Sequence, residues 1–168
     1  MAKVVLKLGD DISTDVIYPG RFMATVLPAE TPQYAFADMP EFNKALNGKL
    51  VPPGSVIVAG KNFGCGSSRE QAVSALKGHE LIIVAESFAR IFLQNAINLG
   101  LGLVSVPGIT AQEGDELEFH PTAVLNKSRG TSLLVQHLPQ ARQAIIDAGG
   151  LIPYTRNRLM EKSKPTAH

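Results

Sequence analysis

The 168-residue chain has no tryptophan and a single cysteine, Cys65. One thiol excludes an internal disulfide. It also excludes a self-held iron–sulfur cluster, which takes about three or four protein thiolates. Long apolar runs are missing as well: no window approaches the ~18 consecutive apolar residues of a membrane span. The N-terminus (MAKVVLKLGDD) reaches acidic residues before any stretch of signal-peptide length. These absences lead us to expect a soluble, cytoplasmic protein. Nor does charge of one sign accumulate. The net charge is +1, without a long acidic or basic run, so neither nucleic acid nor a membrane surface is an expected partner. Charged residues make up 18% of the chain, below the usual value of about 25%. That is compatible with another chain covering part of the surface.

What is present suffices for one domain. Hydrophobic residues make up 45%, and a chain of this size buries roughly 70% of its unfolded surface. Residues 1–160 are expected to form that domain, with 161–168 as a frayed tail. Residues 2–8 predict a first strand, with Val4, Leu6 and Leu8 on one face at a period of two. Residues 9–20 are turn-rich. Residues 28–46 contain a helical stretch, best from Thr31, that Pro40 should break. After the Pro52-Pro53-Gly54 turn, residues 55–59 (SVIVA) and 81–85 (LIIVA) are short β-branched runs expected to be strands buried on both faces. Residues 67–77 and 87–99 predict helices, the second burying Phe88, Ile91, Phe92, Ala96 and Leu99. With a strand at 103–106 this makes a β-α-β-α-β series, so the fold class is α/β with a partly parallel central sheet and flanking helices. Strands follow at 116–119, 123–126 and 131–136, the last two as a hairpin. Residues 139–148 read as a final helix stopped by Gly149-Gly150. No internal repeat is found.

The segment Gly60-Lys-Asn-Phe-Gly-Cys-Gly-Ser-Ser-Arg-Glu70 puts glycines between a buried strand and a helix start. Glycines admit close backbone approach, and a helix start offers free N–H groups to an anion. Two hydroxyls and a guanidinium there supply a neutral oxygen beside a bidentate carboxylate clamp. Known loop motifs fit poorly. Cys65 stands five positions after Gly60, where a phosphate loop wants glycine; Arg69 stands where a dinucleotide fingerprint starting at Gly64 wants a small residue; and Ser67 lacks the following Gly of a nucleophile elbow. Ser67 to Glu70 is equally a capping box, closing a helix and doing no chemistry. Cys65 reads as a small packed residue, and Asp10, Asp11 and Asp15 as turn formers or a carboxylate cluster. The histidines at 79, 120, 137 and 168 have no metal-ligand spacing, so no metal site is expected.

NFGCGSSREQAVSAL (62–76) and ESFARIFLQNAINLGL (86–101) resemble the swivelling β/β/α domain of the aconitase superfamily. The closest likeness is to small subunits of isopropylmalate isomerase and homoaconitase. GDDISTDVIYPGRFM (9–23) is similar to that family's opening segment, and DAGGLIPYTRNRL (147–159) to its ending, so the likeness spans nearly the whole chain. The resemblance implies a divided hydro-lyase. A separate large subunit carries a four-iron, four-sulfur cluster that binds the hydroxyacid substrate, and this chain binds no cofactor. Carried over by position, Ser67 abstracts the proton from carbon and Arg69 holds a substrate carboxylate. Ser68 and Gly66 shape the anion site, and Asp15 is a further candidate.

The resemblance also implies that the loop after the Pro-Gly turn reads the substrate's variable arm. There Phe22-Met23 stand where relatives have Tyr-Leu, and Ala24 stands at the reading position, where homoaconitase-like members have Arg and isopropylmalate-like members have Val. Ala24 suits a small or branched alkyl arm. Arg21 is the one residue that could swing in to supply a charge. The expected substrates are therefore isopropylmalate first, then dimethylmalate or citramalate-type acids, and homocitrate-type tricarboxylates last. Two other readings stand beside this one: the small subunit of a dimethylmalate dehydratase or homoaconitase, and a non-enzymatic anion-binding or regulatory module. The large subunit is the expected partner, and self-association is a second option.

Overall fold

In the computed structural model, which describes residues 1–163, seven strands form one mixed sheet. The strands are β1 (Ala2–Lys7), β2 (Val56–Ala59), β3 (Ile82–Ala85), β4 (Gly102–Ser105), β5 (Glu116–Phe119), β6 (Ala123–Asn126) and β7 (Thr131–Leu134). Their spatial order is β4-β3-β2-β1-β5-β6-β7. β1 to β4 are mutually parallel, and β5, β6 and β7 continue antiparallel from β1. The helices are α1 (Thr14–Ile17), α2 (Pro40–Asn47), α3 (Glu70–Gly78), α4 (Arg90–Leu99), α5 (Gln140–Asp147) and α6 (Leu151–Lys162).

Each parallel strand lies beside the one before it, so the crossovers all advance in one direction. Right-handed crossovers then stack α2, α3 and α4 on a single face. Two cores result. On the helix face, Leu6, Ile57, Ala59, Ile83 and Ala85 meet Leu46, Val73, Leu76, Phe92 and Ala96. On the other face Val4, Val56, Val58 and Val84 meet Leu117 and Val124 of the antiparallel strands. The sheet curls to enclose this second, aliphatic core, and Gln136 N donates to Ser105 O at 2.8 Å, linking the segment after β7 to the β4 edge. The β-branched runs 55–59 and 81–85 are buried on both faces because each face has its own core.

Two expectations need correction and two need extension. Val4 and Leu6 do not share a face. A register shift pairs Val4 with Val56 and Leu6 with Ile57, so β1 spends two residues on one step of β2 and its parity inverts. Leu6 and Leu8 pack on the helix side, whereas Val4 points into the enclosed core. Pro40 does divide the 28–46 stretch, but it also opens α2, because its missing N–H falls among the donors a first turn leaves free. Ile91 is 54% exposed, and Ile97 is buried in its place. Gly149 and Gly150 do stop α5, at positive φ, yet α6 follows at once. This last helix mixes polar residues with exposed Leu151, Ile152, Leu159 and Met160 and buries none, and Pro153 sits in its first turn, where proline is tolerated. Glu161 and Lys162 belong to α6, and the rest of the expected tail, 164–168, lies outside the described residues. Among the described residues no helix is long and apolar enough to cross a membrane.

Candidate active site

The loop from β2 to α3 runs beside the loop that follows β1, and backbone hydrogen bonds tie the two together. Gly60 N donates to Gly9 O (3.0 Å), Gly64 N to Ile12 O (2.7 Å) and Thr14 N to Cys65 O (2.8 Å). Side chains finish the seam: Asp10 Oδ1 accepts from Lys61 N at 2.7 Å, and Asp11 Oδ1 from Asn62 Nδ2 at 2.9 Å. Asp10 and Asp11 are therefore loop braces. Gly64 has φ +86°, and a Cβ on it would overlap the Phe92 ring, so only glycine lets this loop lie flat on α4. Cys65 is half-buried in the same seam as a free thiol.

The capping box does not form. α3 begins at Glu70, Arg69 occupies the N-cap position with extended backbone, and no side chain caps the helix. Ser67 instead sits three residues ahead of the helix, exposed, with its Oγ 3.1 Å from Thr14 Oγ1. Ser68 and Gly66 are exposed beside it. Arg69 turns back toward α1. Its Nη1 donates to Asp15 Oδ1 at 2.8 Å and to Tyr18 O at 3.0 Å, and its side chain is 14% exposed. Arg69 Nε is buried without a partner among the described residues. Asp15 Oδ1 also accepts from Gly20 N at 2.9 Å. The Arg69 hydrogen bond, with the Gly20 N–H second, holds the Asp15 carboxyl below its usual range.

The turn carrying the expected reading residues adjoins this cluster. A Cβ on Gly20 would lie 3.3 Å from Arg69 Nη2, and Gln71 Nε2 of α3 donates to Met23 O at 3.1 Å. Arg21 does not face the serines. It pairs with Asp38 at 2.6 Å and lies 4.6 Å over the Phe22 ring. Phe22 stacks on Tyr34 with centroids 4.1 Å apart and packs against the helix-side core. Met23 and Ala24 are exposed. The structure thus gathers Gly66, Ser67, Ser68, Arg69 and Asp15, with residues 20–24 on their flank. Thr14 and Tyr18, which position these side chains, carry no local signal in the sequence, because their contacts span more than fifty residues.

The cluster is open. The main cavities of the described residues lie between the β4 edge, α4 and α5, along α6, and beside Gly54; none includes Ser67, Arg69 or Ala24. His79 bonds Pro32 O and His120 pairs with Glu118, both away from this cluster, and His168 lies outside the described residues. No three His, Cys, Asp or Glu residues gather among the described residues. The chain has a single cysteine, fewer than the roughly three or four thiolates that an iron–sulfur cluster takes.

A glycine loop on a buried parallel strand thus presents serine and a braced arginine on an open face. The family model of the aconitase C-terminal domain matches residues 28–106. The isopropylmalate/citramalate isomerase small subunit of Methanocaldococcus jannaschii is 44% identical over 163 residues, covering 94% of each chain. A 3-isopropylmalate dehydratase small subunit of Pyrobaculum calidifontis is 45% identical, covering 89% of this chain and 93% of that one. The crystal structure of 3-isopropylmalate dehydratase from Methanocaldococcus jannaschii superposes with a TM-score of 0.86 at 36% identity, covering 96% of each chain. The chain belongs to the 3-isopropylmalate dehydratase small-subunit family of the aconitase superfamily.

Proposed function

We propose that this chain is the cytoplasmic small subunit of a hydro-lyase that interconverts 2- and 3-isopropylmalate, and that it acts only when joined to a large subunit. The observation that carries this reading is the pairing of an exposed Ser67, which caps no helix, with an Arg69 held in place by Asp15 and Tyr18 O. Ser67 takes the proton from the substrate carbon. A serine hydroxyl is a weak base, so its alkoxide requires the positive end of α3 and a site closed to water. Arg69 binds a substrate carboxylate, and Asp15 and Tyr18 O fix the plane of its guanidinium. The Lewis acid that helps hydroxide leave, a four-iron, four-sulfur cluster, belongs in this scheme to the large subunit. The large subunit also supplies the missing wall, since Ser67 faces solvent here.

The flank of the site supports an alkyl-substituted dicarboxylic acid. Ala24 and Met23 offer no charge, and Asp38 already neutralises Arg21. A third carboxylate buried there without a partner would cost about 2–5 kcal/mol. The name of the Methanocaldococcus relative joins isopropylmalate with citramalate, both alkyl-substituted acids, which supports this substrate class. The test is kcat/KM of the two-subunit enzyme on isopropylmalate, citramalate, dimethylmalate and homoaconitate. We expect isopropylmalate first, homoaconitate last and no turnover by the isolated chain. A preference for the tricarboxylate would refute the reading of residues 21–24, and turnover by the chain alone would refute the division of labour.

A further inference from the structure

We infer that Thr14 is a positioning residue for the Ser67 base, holding its oxygen in place and supplying a hydrogen bond when that oxygen carries charge. The inference rests on the reading of Ser67 given above. Thr14 is the first residue of α1 and is 2% exposed, whereas Ser67 is exposed. Its Oγ1 lies 3.1 Å from Ser67 Oγ and 3.1 Å from Ser67 O. Its N–H is bound to Cys65 O at 2.8 Å and its carbonyl accepts from Tyr18 N at 2.8 Å, so its backbone is fixed from both sides. A β-branched side chain at a helix start has little χ1 freedom, which makes Oγ1 a rigid point.

One hydroxyl proton serves two acceptors here. While Ser67 is neutral, Thr14 Oγ1–H donates to Ser67 O and its lone pair accepts from Ser67 Oγ–H. When Ser67 is an alkoxide, it has no proton to give. Rotation about the Thr14 Cβ–Oγ1 bond then turns the same proton onto Ser67 Oγ, and no covalent bond changes. A hydrogen bond to an ionised oxygen is roughly twice as strong as a neutral one, and a buried donor gives it at reduced dielectric. Thr14 thus meets the base oxygen with an acceptor while it is protonated and with a donor while it is charged. No helix cap needs this contact, because α1 is capped by Ser13, whose Oγ accepts from Val16 N.

The experiment uses the reconstituted two-subunit enzyme with Thr14→Val, Thr14→Ser, Ser67→Ala and the Thr14→Val/Ser67→Ala pair. Assembly and melting temperature are measured alongside kcat and KM. We expect Thr14→Val to lower kcat by roughly 10²–10³, the range for loss of one charge-stabilising donor. KM should stay within about twofold, since its contact is to the base and not the substrate. Thr14→Ser should restore most of kcat. In the double variant Thr14→Val should add nothing to Ser67→Ala, because the contact is already gone. Should valine impair assembly, Thr14→Ala is expected to show the same kcat loss with KM unchanged. An unchanged kcat, or a serine variant that fails to rescue, would overturn the inference while a large Ser67→Ala loss left the base reading intact. Near-normal turnover by Ser67→Ala would overturn both.

Discussion

The two halves of the sheet solve different problems. In the parallel half, the chain leaves each strand at the same end, and the loops after β1 and β2 lie side by side there. Those strands are held by a core on either face, so their loops are free to be glycine-rich, exposed and chemically equipped. In the antiparallel half, β5 to β7 are joined by short turns and cover the enclosed core. Its one strongly organised polar group is Asp115. There Asp115 Oδ2 accepts from Gln112 N (2.9 Å), Asn126 Nδ2 (2.9 Å) and Arg129 Nε (2.6 Å). Arg69 and Asp115 both belong to ion pairs, but Arg69 adjoins the exposed Ser67 and Ser68, whereas Asp115 is buried and accepts three hydrogen bonds within its own half of the sheet. In the function proposed above, the first pair serves binding and the second serves the fold.

Substitution in each half should therefore move different measurements. Arg69→Lys keeps the charge but loses the planar fork, and a charged hydrogen bond of about 1.5–3 kcal/mol goes with it. In the assembled enzyme we expect KM to rise roughly ten- to hundredfold, with the melting temperature nearly unchanged. Asp115→Asn should do the reverse, lowering the melting temperature modestly while kcat and KM stay at their normal values. Its effect should also depend on pH. Hydrogen bonds from Asn126, Gln112 and Arg129 hold the Asp115 carboxyl down to about 2, from an ordinary 3.8. A depressed folded-state pKa contributes stability that is complete above the unfolded value and lost as pH falls through the folded one. The gap in melting temperature between the protein and Asp115→Asn should therefore be full at neutral pH and close between about pH 4 and pH 2. A gap that is constant across that range would mean that Asp115 acts by packing and not by charge.

How much of this was legible in the sequence depended on how local the cause was. The runs 55–59 and 81–85 announced buried strands because β-branched residues without alternation fit little else. The glycine loop was visible because strand, glycines and hydroxyls are consecutive. The capping box misled because the pattern counts residues and not conformations. Ser67 and Ser68 stay outside the helix while Arg69 is drawn to Asp15, and the helix start moves to Glu70. The parity of β1 was hidden because a bulge depends on the partner strand, and α6 because it buries no residue. Ile91 followed the apolar period of α4 but missed its buried face, since Phe92 and Ala96 already fill it. Thr14 and Tyr18 went unnoticed for a simpler reason: their partners lie far along the chain.

The central claim, that the parallel half delivers a serine base to an interface, is tested most directly by Ser67→Ala in the reconstituted enzyme. Ser67 caps no helix, so melting temperature and assembly with the large subunit should match the unaltered protein. Turnover of isopropylmalate should fall by at least roughly 10²–10⁴, the range for loss of a general base. Turnover near the normal rate, in a variant that folds and assembles, would contradict the account.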